Sequence, residues 1–149
     1  MKKIIALSTV AVLLVSLFIG CGDKKKPSAD DFKMDESKMS PLDTKISEGK
    51  KVYEKTCLAC HQADGKGVEG AFPPLAASDF FAADKMLMVS NIVNGITGEI
   101  TVNGKKFNTP MPKQVVTDEE AANVATYVLN AFGNKGGEVS VEEVKSVKK

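Results

Sequence analysis

Hydrophobic and polar positions divide this chain into four stretches. After Met1-Lys2-Lys3, residues Ile4 to Gly20 run without a charge. Residues 22–44 follow, polar and of mixed charge, with no apolar period. From residue 45 periodicity begins. Ile46, Gly49 and Tyr53 recur at i, i+3 and i+7, which predicts a helix running into Cys57. Residues 64–78 hold many Gly, Pro and Ala and read as loop. Asp84 to Asn94 predicts a second helix, stopped by Gly95. Ile100-Thr101-Val102 and Lys105-Lys106-Phe107 flank Asn103-Gly104, the pattern of a two-residue type I′ hairpin. Thr117 and Glu120 have the spacing of a capping box. Ala121, Val124, Ala125, Val128 and Phe132 mark one face of a last helix, with Gly133 beyond it. The tail, 135–149, is strongly charged and is expected to fray. No internal repeat is visible. The expected organisation is therefore a leader over 1–20, a tether over 21–44, one compact domain over 45–134 and a polar tail over 135–149.

The leader has a basic start, an apolar stretch and a small residue before Cys21, the layout of a secretory signal. Leu17-Phe18-Ile19-Gly20-Cys21 resembles the lipobox of bacterial lipoproteins, although Phe18 stands where Leu is usual. That resemblance implies lipidation of Cys21 and loss of residues 1–20. An uncleaved apolar helix, at the lower limit of length for a membrane span, is the alternative. Either reading puts the remainder outside the cytoplasm and holds it at a membrane. The tether offers too little apolar surface to offset the entropy of ordering. Its mean span would be roughly 25 Å, with a limit of roughly 75 Å.

Composition narrows the chemistry. Lys+Arg number 20 against 19 Asp+Glu, a formal net charge of +1. A nucleic-acid binder normally carries a strong basic excess, so no nucleic-acid partner is expected. The 20 basic residues are all Lys. Without Arg the chain has no planar, bidentate anion clamp. His61 is the single His, so chemistry needing two imidazoles is excluded. About 90 residues make a thin core, and the chain has no Trp. Domains of this size are often stapled by a disulfide, a metal or a cofactor.

Cys57-Leu58-Ala59-Cys60-His61 names a candidate for that staple. C-x-x-C-H is the attachment motif of c-type haem. Two thiols three positions apart on a helical turn can form thioethers with the two vinyl groups, and the adjacent imidazole can then reach the iron. Competing readings are weaker. A thioredoxin-like dithiol needs no following His and sits in a βαβ context. A zinc site needs four ligands, and beyond Cys21 only these three Cys/His residues exist. A disulfide between Cys57 and Cys60 would close a strained small ring. The sixth iron ligand cannot be a second His; it must be a Met, a weaker donor such as Lys or the N-terminus, or nothing. Met34 and Met39 lie in the tether, and Met86 and Met88 lie in an apolar helical segment where Met is normally core filler. Met111 lies between Pro110 and Pro112, which fix φ on either side and could present a thioether rigidly. A plain buried loop methionine, or a ligand that exchanges, is the alternative at that position.

With these motifs the chain resembles a class I mono-haem cytochrome c over residues 45–134. Gly49 and Tyr53 match the positions where that family packs its first helix on its last, and Tyr127 matches the aromatic place in the last helix. Pro73-Pro74-Leu75 is similar to the family's loop after the haem motif. The resemblance implies an all-α cytochrome c fold, three to four helices around one covalent haem c. A short β-hairpin would be inserted before the axial-Met loop. It also implies that the Pro73 carbonyl accepts the hydrogen bond of the other His61 ring nitrogen, a contact that orients the ring. Leu75 would pack on the haem. Propionates would be held by Lys, hydroxyls, amides or backbone. The stretch 95–112 is similar to cytochrome domains serving periplasmic reductases and quinoprotein dehydrogenases.

The expected function is electron transfer rather than catalysis. The expected partners are a quinol-oxidising complex or dehydrogenase as donor, and a terminal oxidase or periplasmic reductase as acceptor. A permanently docked haem subunit is one alternative. A haem enzyme or gas sensor is another, but it would want a distal Arg or His that the chain does not have to spare. Residues 45–134 carry nine Lys and ten acids, net −1. Strong long-range steering toward an oppositely charged partner is therefore not expected.

Overall fold

The computed structural model describes residues 39–149. The leader, Cys21, Met34 and most of the tether lie outside them. Among the described residues no helix is long and apolar enough to cross a membrane.

The first helix, α1, spans Pro41–Thr56. It therefore starts four residues before the expected domain boundary. The cause is local: the Ser40 side chain accepts from the Asp43 amide, Pro41 occupies the first turn, and Asp43 adds an acid there. The chain passes through Cys57 into a single turn, α2, Leu58–His61. Residues 64–78 form the expected loop, closed on itself where the Val68 amide donates to the Phe72 carbonyl at 2.9 Å. A short helix not expected from the sequence, α3, spans Asp79–Ala82. It is too short for its apolar positions to show a period. Helix α4, Lys85–Asn94, is capped by Asp84 and stopped by Gly95. Strands β1, Ile100–Val102, and β2, Lys105–Phe107, pair antiparallel around Asn103-Gly104. Both turn residues have positive φ, as a type I′ turn requires.

Helix α5, Asp118–Asn130, carries the expected capping box between Thr117 and Glu120. It ends earlier than its apolar pattern suggested. Phe132 is outside the helix at φ 57. Its ring packs on Tyr53 and Tyr127, with centroids 5.3 and 5.6 Å away.

The tail expected over 135–149 is not frayed. Residues Val141–Val147 form helix α6, with a capping box between Ser140 and Glu143. Val139 and Val144 are both 0% exposed. Burying two valines can stabilise by several kcal/mol, enough to order a segment that its Lys and Glu content made look solvated. The compact domain therefore runs on past residue 134.

The core is the crossing of α1 on α5, with α4 and α6 against α5. Its centre is Tyr53, Val89, Val124, Ala125 and Val128. Gly49 makes the crossing possible. A Cβ there would stand 2.0 Å from the Asn123 carbonyl oxygen and 2.8 Å from the Tyr127 Cβ. The hairpin is fixed to α3 by a reciprocal pair: Asp79 Oδ1 accepts from the Asn103 amide at 2.7 Å, and Asn103 Oδ1 accepts from the Asp79 amide at 3.0 Å.

Candidate functional site

These elements enclose an apolar cavity of about 230 Å3. Cys57, Cys60, His61, Pro73, Leu75 and Met111 all lie on its wall. The cysteines and the histidine come from one turn. His61 and Cys60 amides both donate to the Cys57 carbonyl, at 2.9 and 3.2 Å. The turn is fastened at its end, where the Tyr53 hydroxyl donates to the Gln62 carbonyl at 2.7 Å. The His61 carbonyl accepts from the Gly67 amide at 3.0 Å.

His61 is buried, and its Nδ1 lies 3.1 Å from the Pro73 carbonyl. That carbonyl can only accept, so Nδ1 carries the proton and Nε2 is the free lone pair. Burial pulls the imidazole's pKa down, opposed in part by the Pro73 contact. A neutral ring is the form that binds a metal. Burial also pushes the Cys57 thiol up; the Thr56 hydroxyl, 3.3 Å from Sγ, partly opposes this, and the nearby Cys60 adds to it. Such a thiol is protonated at neutral pH, unlike the activated thiolate of a dithiol oxidoreductase. Cys57 and Cys60 are free rather than paired. Among the described residues no three His, Cys, Asp or Glu side chains converge to hold a metal ion by themselves. The arrangement thus fits a group that brings its own equatorial ligands and takes two thioether links.

Met111 lines the same cavity from a different segment of the chain. Its loop is pinned to the segment after α4 by two backbone bonds: Ile96 N to Met111 O at 2.9 Å and Met111 N to Ile96 O at 3.0 Å. Gly95 permits the approach, since a Cβ there would stand 2.8 Å from the Met111 carbonyl oxygen. Met88 also lines the cavity, from within α4, and is 6% exposed. Met86 packs on the core without lining the cavity, as filler would.

Residues 46–132 match the family model described as cytochrome c. The chain belongs to the cytochrome c family. As a cytochrome c it carries covalently bound haem c and transfers electrons through it. Cytochrome c-552 of Thermus thermophilus is 34% identical over 112 residues, covering 68% of this chain and 85% of that protein. The cytochrome subunit of fructose dehydrogenase from Gluconobacter japonicus is 34% identical over 110 residues, 70% of this chain but 23% of that subunit. A subunit of cbb3-type cytochrome c oxidase from Azospirillum sp. (strain B510) is 32% identical over 98 residues, 61% of this chain and 30% of that subunit. The chain therefore spans about a quarter of the length of the fructose dehydrogenase subunit and most of the Thermus cytochrome.

Several contributors to the cytochrome site were not read from the sequence as part of it. Ile100 and Val102 of the hairpin, Phe81 of α3, and Val124 and Val128 of α5 form apolar wall. The Asn134 side chain donates to the carbonyls of Leu75 and Val128, at 3.0 and 2.8 Å, and its Oδ1 accepts from the Ser78 amide. It ties the haem-side loop to α5. A single polar residue in a Gly-rich stretch shows no period by which such a role could be read.

Proposed function

We propose that this chain is a membrane-tethered, extracytoplasmic electron carrier. In this reading Cys57 and Cys60 form the thioethers, and His61 Nε2 and Met111 Sδ take the two axial positions. Pro73 orients the imidazole, and Leu75 packs on the ring. One observation carries the reading. The two thiols, a neutral imidazole with Nε2 free, and a thioether on a pinned loop line the same apolar cavity.

When bound, haem supplies a one-electron couple. The protein's part is to saturate the iron and exclude water. A thioether opposite a histidine raises the potential, and two filled axial positions leave no place for a substrate. Met111 is preferred over Met88 because Met88 sits within the regular helix α4 as a member of the buried core cluster, whereas Met111 stands on a loop between two prolines. Cys21, acylated, would hold the domain at the membrane while a tether lets it reach donor and acceptor.

Visible spectroscopy and potentiometry of the haem-loaded protein test the ligands. Met111→Ala should abolish the weak far-red thioether–iron band, lower the midpoint potential and let carbon monoxide bind the reduced form. Met88→Leu should do none of these. If Met111→Ala leaves band and potential unchanged, the assignment fails. Fractionation tests the anchor: Cys21→Ser should move the protein from membrane to soluble fractions, and retention at the membrane would favour an uncleaved helix.

The names of several relatives favour a second reading, a fixed haem subunit within a dehydrogenase or oxidase. Stoichiometric partner subunits retained after purification in mild detergent would select it over a mobile shuttle.

A further inference from the structure

The family match ends at residue 132, yet the chain beyond it is built into the fold. Leaving α5, the segment runs back across the helix: Gly136 N donates to Leu129 O at 2.8 Å, and Val139 N donates to Thr126 Oγ1 at 3.0 Å. Helix α6 then lies on α4 and α5, with Val144 fully buried and Glu143 paired to Lys85 at 2.8 Å. Its end is fastened at two places: Lys148 Nζ pairs with Asp118 at the start of α5, at 2.5 Å, and the backbone bonds to the side chain of Asn94, the last residue of α4. Asn94 Nδ2 donates to the Val147 carbonyl at 2.7 Å, and Asn94 Oδ1 accepts from the Lys149 amide at 2.9 Å. The next two residues, Gly95 and Ile96, are those against which the Met111 loop rests.

We infer that residues 136–149 are a strap that positions the Met111 loop, acting through Asn94 on the Gly95–Ile96 segment. Asn94 is a positioning residue: it touches neither the cavity nor the methionine. With it in place, the end of α4 is held from the strap's side and the loop from the other, so opening the sixth position requires the Gly95–Ile96 hinge to move against the strap. Releasing Asn94 removes its two bonds to the strap from that closed state and favours the open one, while its third bond, to Ser90 Oγ, lies within α4. The inference rests on Met111 being the sixth ligand.

Imidazole, which competes for the sixth position, is the probe, titrated into the oxidised, haem-loaded full chain. Asn94→Ala should bind it roughly five- to tenfold more tightly, as expected when one or two hydrogen bonds are lost from the closed state alone. Its far-red band should also fade at a lower temperature than the helices melt. Thr126→Val is the control: it removes the acceptor of the Val139 amide but leaves both strap bonds to Asn94 in place, so it should lower the melting temperature with imidazole affinity unchanged. Met111→Ala sets the upper limit of imidazole binding. If Asn94→Ala binds imidazole as the unaltered protein does, while Met111→Ala binds it tightly, the strap inference fails and the ligand assignment stands. If Thr126→Val and Asn94→Ala tighten binding alike, general stability controls the loop and the inference also fails. If Met111→Ala itself changes nothing, the ligand assignment fails and takes the inference with it.

Discussion

At the scale of single residues, close contact decides more than chemistry. Gly49 shows this, because its neighbours on α5, the Asn123 carbonyl and the Tyr127 Cβ, are fixed by the helix backbone and cannot swing aside. A methyl at that position would meet the Asn123 carbonyl at 2.0 Å, well inside any tolerable contact. The helices must then separate. Gly49→Ala should destabilise the haem-loaded protein by about 3 kcal/mol, the upper end of typical overpacking costs, read from a denaturant melt. The Soret band should survive in the folded fraction, since the C-x-x-C-H turn is untouched. Glycine spacing in the sequence put Gly49 on the inner face of a helix. How near the other helix comes depends on Asn123 and Tyr127, some seventy residues away, and no local pattern carries that distance.

At the scale of elements, the helix starts read from the sequence were Asp84 and the Thr117–Glu120 box, whereas the caps at Ser40 and Ser140 emerged only in the structure. Ser40-Pro41, Asp84, Thr117 with Glu120 and Ser140 with Glu143 each open a helix in the structure. The charge of the tail around Ser140 argued for solvent, and two buried valines reversed the balance. Helix α6 should also be the acid-sensitive element. The Lys85 ammonium and then the Ser140 amide hold the Glu143 carboxyl below the usual range. A carboxylate with a lowered folded pKa adds stability above its unfolded value of about 4.3 and loses it as pH falls through the lowered one. Melts should therefore show Glu143→Gln less stable than the unaltered chain at pH 7, with the gap closing near pH 3. A gap that persists in acid would mean that the carboxylate's charge contributes nothing. The contribution is modest, because the pair is about one-third exposed and screened by solvent.

The molecule as a whole is organised around the cavity. Without a group in it, this apolar wall would stand open to water, and the net stability of a small domain, about 5–15 kcal/mol, leaves little margin for such exposure. The double variant Cys57→Ala/Cys60→Ala, which cannot form thioethers, should therefore lose much of its far-UV helix signal and melt at far lower denaturant when haem is absent. Retention of a cooperative, unchanged melt without haem would show that the protein core is sufficient alone.

The sequence by itself determined the attachment chemistry, the starts of α4 and α5, and the hairpin. Each depends on residues within about five positions of one another, where covalent spacing and local hydrogen bonds set the outcome. It also named Met111 and Pro73, the first from two flanking prolines and the second by family resemblance. Only the tertiary structure decided what stands beside what. The hairpin serves as a cavity wall, Asn134 joins the haem-side loop to the last long helix, and the charged tail folds across the domain to grip Asn94. Those outcomes turn on burial and on hydrogen bonds between residues 53 to 59 positions apart. Such contacts form only once the chain has collapsed around its core, so their energies leave no period, cap or motif in the sequence.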